Sequence, residues 1–297
     1  MASVANLGND VVVAVGSTEN NGVFRPAAWT RHGDGNWARV TSPSDVFRVT
    51  GSAQMRRVLR AGPGLVAVGY RTSLTGDKDG AIWVYDSGTR TWAPRRSPSL
   101  GGPGDQEVWS LASFHGNLFA VGTSDSEAGD SDAQVWTSSD GTFWSTVPGE
   151  PAHLDGTEVM KTVAATDNLL VAVGYEKEGS GDKDAAVWTS TDGKTWSPVL
   201  DLGVFGGPGD QEMIGVTTID GNFVAVGYSK VGDQSIGVVW VSPDGRTWYR
   251  DKPPALQQTY VDIKSVSRVG DQLVAVGFVK DGTDKDAAAW LADVVGE

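Results

Sequence analysis

The sequence of 297 residues contains no cysteine and only four methionines. Without cysteine there is no disulfide framework, no zinc knuckle and no thiol nucleophile. A chain long enough to bury a substantial core needs no staples, so this absence leaves the redox compartment open. No apolar run approaches the length of a membrane span. The opening MASVANLGNDVVVAVG lacks the basic flank and long apolar stretch of a signal peptide, and its VVVAV reads as a buried strand. A mature secreted chain would look the same. Positive charge is also scarce. A net charge of −13 argues against general nucleic-acid binding, which needs a basic surface to displace counterions, and suits a protein that binds cations. Long Leu/Ala/Glu/Lys stretches are missing, whereas there are 39 glycines and 12 tryptophans, a balance that favours short strands and tight turns over helices.

What is present is a repeat. A buried-strand pattern, V-A-V-G (F-A-V-G in the third copy), places its glycine at Gly16, Gly69, Gly122, Gly174, Gly227 and Gly277. A tryptophan follows each one, at Trp29, Trp83, Trp136, Trp188, Trp240 and Trp290. A second comes eight or nine residues later, at Trp37, Trp92, Trp144, Trp196 and Trp248. Each unit reads as four strands; in the third they are 107–114, 117–124, 133–139 and 142–147, joined by short glycine-bearing hairpins. The V-A-V-G strand is apolar on both faces, as a sheet packed between two neighbours requires. Units of roughly fifty residues with four antiparallel strands are propeller blades. The expectation is therefore an all-β, six-bladed β-propeller forming one domain over 1–297, with units at about 1–48, 49–102, 103–154, 155–207, 208–258 and 259–297.

The hairpins between third and fourth strands share a motif, S-x-D-G-x-x-W, clearest at Ser138-Asp140-Trp144, Ser190-Asp192-Trp196 and Ser242-Asp244-Trp248. It resembles the Asp-box (BNR) repeat of sialidase-like β-propellers over nearly the whole chain. It is one residue shorter than the commonest Asp-box spacing and decays in the first two units, RHGDGNW and YDSGTRTW. The motif reads as a folding staple in which Asp caps the turn, Gly takes the left-handed position and Trp inserts between sheets. A sixth fourth-strand tryptophan would fall at position 298, so the last blade is expected to lack its outer strand and to leave an edge at 287–293 open to pairing. The first strand of the first unit has likewise lost its leading residues. These ends suggest a domain of a longer or processed chain, extracellular or on the cell surface, with a cytoplasmic location left open.

Candidate site residues come from the propeller face opposite these turns. The loops between second and third strands carry paired aspartates, GDKDG at 76–80, GDSDA at 129–133, GDKDA at 181–185 and TDKDA at 283–287. Asp77, Asp79, Asp182 and Asp184 can be read as Ca2+ ligands or as solvated hairpin residues. The blade-to-blade loops repeat GGPGDQE at 101–107 and 206–212, with LDGTE at 154–158. They would bring Asp105, Glu107, Asp155, Glu158, Asp210 and Glu212 to a channel mouth, as acid, base, metal ligands or plain loop residues.

On the innermost strands Ser3, Ser110, Thr162, Gly215 and Ser265 are small where the second unit has Arg57, and the preceding position reads Arg56, Trp109, Lys161, Ile214, Lys264. Residues 48–96 hold eight of the fourteen arginines, which points to an anion or acidic partner, or to neutralisation of nearby acids. Tyr70, Tyr175, Tyr228 and Phe278 end the second strands, where aromatic rings suit sugar stacking or blade packing.

The sialidase chemistry implied by the resemblance is not carried by matching residues. Phe24-Arg25-Pro26 lacks the intervening residue of the F/Y-R-x-P motif, no Tyr/Glu nucleophile pair matches, and His32, His115 and His153 are scattered. Three readings remain: a binding module for a glycan or protein partner, a glycoside hydrolase using channel-mouth acids, and a structural scaffold. Fold does not choose among them.

Overall fold

The computed structural model describes residues 1–41, 46–47, 49–62, 64–72, 74, 76–125, 130–148, 156–179, 181–257 and 260–293. The chain is all-β and a six-bladed β-propeller in fold class, with five four-stranded antiparallel sheets and, among the described residues, a last sheet of three strands. It divides into two units, Met1–Pro148 and Gly149–Glu297, each with three blades.

In the first unit, blade one comprises β1 (Ser3–Gly8), β2 (Val11–Asn20), β3 (Val23–His32) and β4 (Ala38–Arg39). Blade two has β5 (Ala53–Ala61), β6 (Gly64–Thr72), β7 (Lys78–Asp86) and β8 (Thr91–Arg95). Blade three has β9 (Gln106–Phe114), β10 (Asn117–Asp125), β11 (Ser131–Ser138) and β12 (Ser145–Thr146). The second unit continues with β13 (Gly156–Ala165), β14 (Leu170–Glu178), β15 (Asp184–Ser190) and β16 (Ser197–Pro198) in blade four. Blade five has β17 (Asp210–Ile219), β18 (Asn222–Val231), β19 (Gln234–Ser242) and β20 (Tyr249–Asp251). Blade six has β21 (Val261–Val269), β22 (Gln272–Asp281) and β23 (Asp284–Asp293). Among the described residues β23 pairs only with β22, so 287–293 forms an edge; residues 294–297 lie outside the described residues. Apolar side chains on this sheet remain open, with Leu291 63% exposed.

Apolar residues of the V-A-V-G strands make the cores. Val66 and Val68 of β6 pack with Val108 and Leu111 of β9, and Val171 and Val173 of β14 pack with Met213 and Val216 of β17. Trp136, Trp188 and Trp240 occupy equivalent, fully buried positions, and Trp144, Trp196 and Trp248 are buried beside them. The turns that carry the second tryptophan close on themselves. Asp140 Oδ1 accepts from the backbone N–H of Thr142 (2.7 Å) and Phe143 (3.0 Å), Ser138 Oγ accepts from Gly141 N–H, and Trp144 Nε1 donates to Gly141 O. Asp192 and Asp244 do the same in blades four and five. The N–H groups of Phe143 and Thr142 hold the Asp140 carboxyl below its ordinary range. Because the turn consumes residues up to the tryptophan, the paired outer strand is Ser145–Thr146 rather than the 142–147 expected from sequence.

A second regularity lies on the inner strands. In blades two to six the ladder between first and second strands slips by one residue at the same place, leaving Arg56, Trp109, Lys161, Ile214 and Lys264 as bulged residues. The repeated glycine lies beside each bulge. A Cβ on Gly69, Gly122, Gly174, Gly227 or Gly277 would stand 1.7–2.1 Å from the carbonyl oxygen of Gln54, Glu107, Val159, Glu212 or Asp262. No side chain fits there, which explains the last letter of V-A-V-G.

Gly174→Ala should therefore cost more than about 3 kcal/mol, comparable to the roughly 3–5 kcal/mol expected for Trp188→Ala. Denaturant titration checks both. A Gly174→Ala protein within about 0.5 kcal/mol of wild type would remove the proposed constraint.

Candidate functional site

The bulges determine which side chains leave the regular pleat. In the first unit, Arg56 from the β5 bulge lies over the Trp109 ring at 3.4 Å from its centroid and over the Tyr70 ring at 4.8 Å. It also pairs with Glu107 of blade three, which in turn pairs with Lys78 of blade two. Asp105 accepts from the Lys78 backbone N–H (2.8 Å) and lies 3.3 Å from its ammonium. Trp109 is the one tryptophan of the twelve that belongs to neither repeated position.

The second unit repeats this arrangement 105 residues on. Lys161 from the β13 bulge and Lys183, the residue just before β15, reach Glu212 of blade five at 3.7 and 3.1 Å. Lys183 lies 4.0 Å from the Tyr175 ring centroid, and its backbone N–H donates to Asp210 (3.1 Å). The Tyr228 hydroxyl donates to Glu212 (2.8 Å). Both GGPGDQE loops fold alike, with Gln106 and Gln211 donating to Pro103 and Pro208 carbonyls. A partial third copy joins Lys264 to Asp262 (2.8 Å) beside Phe278, with Lys285 over the same ring.

Burial works against charge on Lys78 and Lys183, but their carboxylate partners outweigh it, so both ammonium groups are raised above the ordinary lysine value. Burial also raises the phenols of Tyr70 and Tyr228, the latter helped by Glu212. The Arg56 guanidinium is lowered by burial against the opposing pull of Glu107. Burial lowers the Arg57 guanidinium, with no carboxylate among the described residues to offset it. Its small counterparts instead take part in inter-blade bonding: Ser3 Oγ accepts from Val58 N–H, and Thr162 Oγ1 donates to Ile214 O.

Two of the paired aspartates already have partners within the protein. Asp79 is taken by Arg71 at 2.9 Å and Asp184 by the Gly207 N–H, while Asp182 is exposed. Asp77 is engaged within the protein, and among the described residues no three His, Asp or Glu side chains gather to hold a metal. Asp155 and His153 lie outside the described residues. Sequence reasoning missed Lys78 and Lys183, whose signal was the lysine inside each DKD loop. It also missed Glu176, which stands between Glu158 and Asp184 in a row of three cross-strand carboxylates in blade four. Burial, Asp184 and Glu178 push the Glu176 carboxyl up, and burial with Asp182 pushes Asp184 up. Glu158, Glu176, Glu178 and Asp184 line a cavity of about 310 Å3 walled by Leu200 and Leu202. No described helix is long and apolar enough to cross a membrane.

No family model and no curated protein matches the sequence. Solved structures do resemble the fold. The protein YjhT superposes with a TM-score of 0.62 at 11% identity, over 98% of this chain and 94% of that one. A mutant of Trypanosoma rangeli sialidase displaying trans-sialidase activity gives 0.59 at 14% identity, over 97% of this chain and 53% of that one. This chain thus spans about half of the sialidase. A thermostable family-43 glycoside hydrolase gives 0.50 at 13% identity, over 81% of this chain and 88% of that one. At such identities the likeness is one of fold, a β-propeller.

Glu212→Gln should lower stability by roughly 2–4 kcal/mol, because Lys161 and Lys183 lose their shared counter-charge while Lys183 keeps some contact with water. The raised lysines contribute stability that is complete below the unfolded lysine value, about pH 10, and is lost as pH rises through the folded value. Wild-type thermal unfolding should therefore steepen in its decline above about pH 10, and Glu212→Gln should flatten that limb. Parallel alkaline limbs for the two proteins would contradict the pairing.

Proposed function

We propose that the protein is a glycan-binding β-propeller of the Asp-box type, recognising a saccharide through Trp109, Arg56, Arg57 and Tyr70. The cluster of Lys161, Tyr175, Tyr228 and Glu212 forms its counterpart in the second unit. The Ser-Asp-Gly turns support the Asp-box assignment, since each Asp caps its turn and each Trp returns a bond to it. The observation that carries the binding reading is the stack of Arg56 on Trp109, the off-repeat tryptophan. An indole fixed by a guanidinium offers a rigid apolar surface for a sugar ring, and nearby ammonium and phenol groups can bond hydroxyls. The sialidase and the family-43 hydrolase named above act on glycosidic substrates by their own descriptions, which agrees with this ligand class.

Binding is favoured over hydrolysis at this cluster because each glutamate is occupied by two cations. A glycosidase needs one carboxyl to donate a proton and a second to attack or activate water. The hydrolase reading draws its support from a different place, the raised Glu176 carboxyl beside Asp184.

A glycan array, run with and without calcium, tests the main reading. Wild type should bind a defined saccharide set independently of calcium, and Trp109→Ala should weaken that binding about tenfold or more while the protein stays folded. Arg57→Ser, the residue of three sister blades, should reduce it too. Absence of any hit, or unchanged binding by Trp109→Ala, would overturn the assignment. Turnover of a chromogenic glycoside that disappears in Glu176→Gln would favour the hydrolase reading instead.

A further inference from the structure

The same strands form a second concave feature at their other end, in the first unit. In blades three and five the glycine of the S-x-D-G turn seats against the preceding blade. A Cβ on Gly141 would stand 2.6 Å from Val66 Cγ2, and one on Gly245 would stand 2.5 Å from Leu169 Cδ2. In blade two the turn has decayed to YDSGTRTW, and a Cβ on Gly88 would meet only the side chain of Asp86 in its own turn. This turn therefore does not fill the space beside blade one. A cavity of about 520 Å3 remains, lined by Asn9, His32, Arg60, Tyr85, Ser87 and Arg90 over an apolar floor that includes Val11. That volume falls in the range of small-molecule sites.

The lining is unusual for a chain of net charge −13, because it contains two arginines and a histidine and, among the described residues, no carboxylate. The nearest acid of the turn, Asp86, is engaged with the Gly88 and Thr89 N–H groups at 2.7 and 3.0 Å. Neither Arg60 nor Arg90 has an ion-pair partner among the described residues. Arg90 is held at a φ of 56°, a left-handed conformation that costs a non-glycine residue energy. Gly8 sits in the β1–β2 hairpin with its missing Cβ 3.3 Å from Arg60 Nη1, so the hairpin backbone passes close under that guanidinium.

We propose that this cavity is a binding site for a small ester of a tetrahedral oxyanion, a sulfate or a phosphate. Two guanidinium groups grip the oxyanion, since their planar donor forks match its paired oxygens. Asn9 and His32 offer further polar contacts. The Tyr85 ring and the apolar floor receive the group that carries the ester. The site is separate from the Trp109 cluster, which uses the start of β7 at Lys78 where this one uses its end at Tyr85.

Titration calorimetry of the full chain with inorganic sulfate, inorganic phosphate, glucose 6-sulfate and glucose 6-phosphate tests the proposal. Saturable binding of at least one ester is expected, weakening as salt is raised. The preferred anion identifies the source. The double variant Arg60→Gln/Arg90→Asn should weaken binding about tenfold or more. Asparagine tolerates the left-handed position, so the fold should survive. Amide chemical shifts of the wild type should move at Asn9 and His32, which keeps the test valid if the double variant fails to fold. No saturable binding of any of the four, wild-type affinity in the folded double variant, or shifts confined to the Trp109 cluster would each overturn the proposal.

Discussion

The close approach of a bulged backbone to a glycine is the constraint on which the rest of the structure depends. In blades two to six the first strand carries one residue more than its partner, and the carbonyl before the bulge presses into the space a Cβ would fill. The glycine is therefore a packing requirement repeated once per blade. The bulged residue, in contrast, is freed from the ladder and is not held to one identity. Arginine, tryptophan, lysine, isoleucine and lysine occupy it in turn. Stability is written in the invariant part of each unit and individuality in the part the bulge releases.

The individual positions do not act alone. Arg56 and Lys161 each reach a glutamate of the following blade, and a lysine at or just before the start of the third strand completes each set. Asp105 and Asp210 fasten the same lysines through their backbone. The GGPGDQE loop is thus an inter-blade clasp written twice, in the first unit and again in the second. This accounts for its acids without catalysis. It also sets Trp109 and Tyr70 beside paired charges, the kind of fixed setting that the proposed recognition surface needs more than extra contacts.

Much of the fold could be read from the sequence because V-A-V-G is apolar on both faces and recurs with a tryptophan at fixed distance. Only sheets stacked on both sides satisfy that pattern. The short outer strands were less legible, since the turn hydrogen bonds run up to the tryptophan and the sequence does not mark where pairing resumes. Positions that break the repeat pointed to Arg56, Arg57, Trp109 and Lys161. The partners of these residues were hidden because the pairing spans blades: Lys78 and Glu107 meet only where the third strand of blade two comes against the first strand of blade three. The row of Glu158, Glu176 and Asp184, which lies within blade four, was hidden for a different reason: register, not spacing, sets three acids side by side. The partners of Asp79 and Asp184, Arg71 and the Gly207 N–H, are likewise facts that spacing alone cannot reveal.

The division between invariant and released positions can be measured in one experiment. A library of substitutions at Gly69, Gly122, Gly174, Gly227 and Gly277 and at Arg56, Trp109, Lys161, Ile214 and Lys264 can be scored together for protease resistance and for ligand binding. The account predicts that nearly every substitution at the glycines lowers protease resistance. At the bulged positions many substitutions should keep the protein folded while changing what it binds. Equal loss of resistance at both sets of positions would mean that the bulged residues are structural, and would contradict the account.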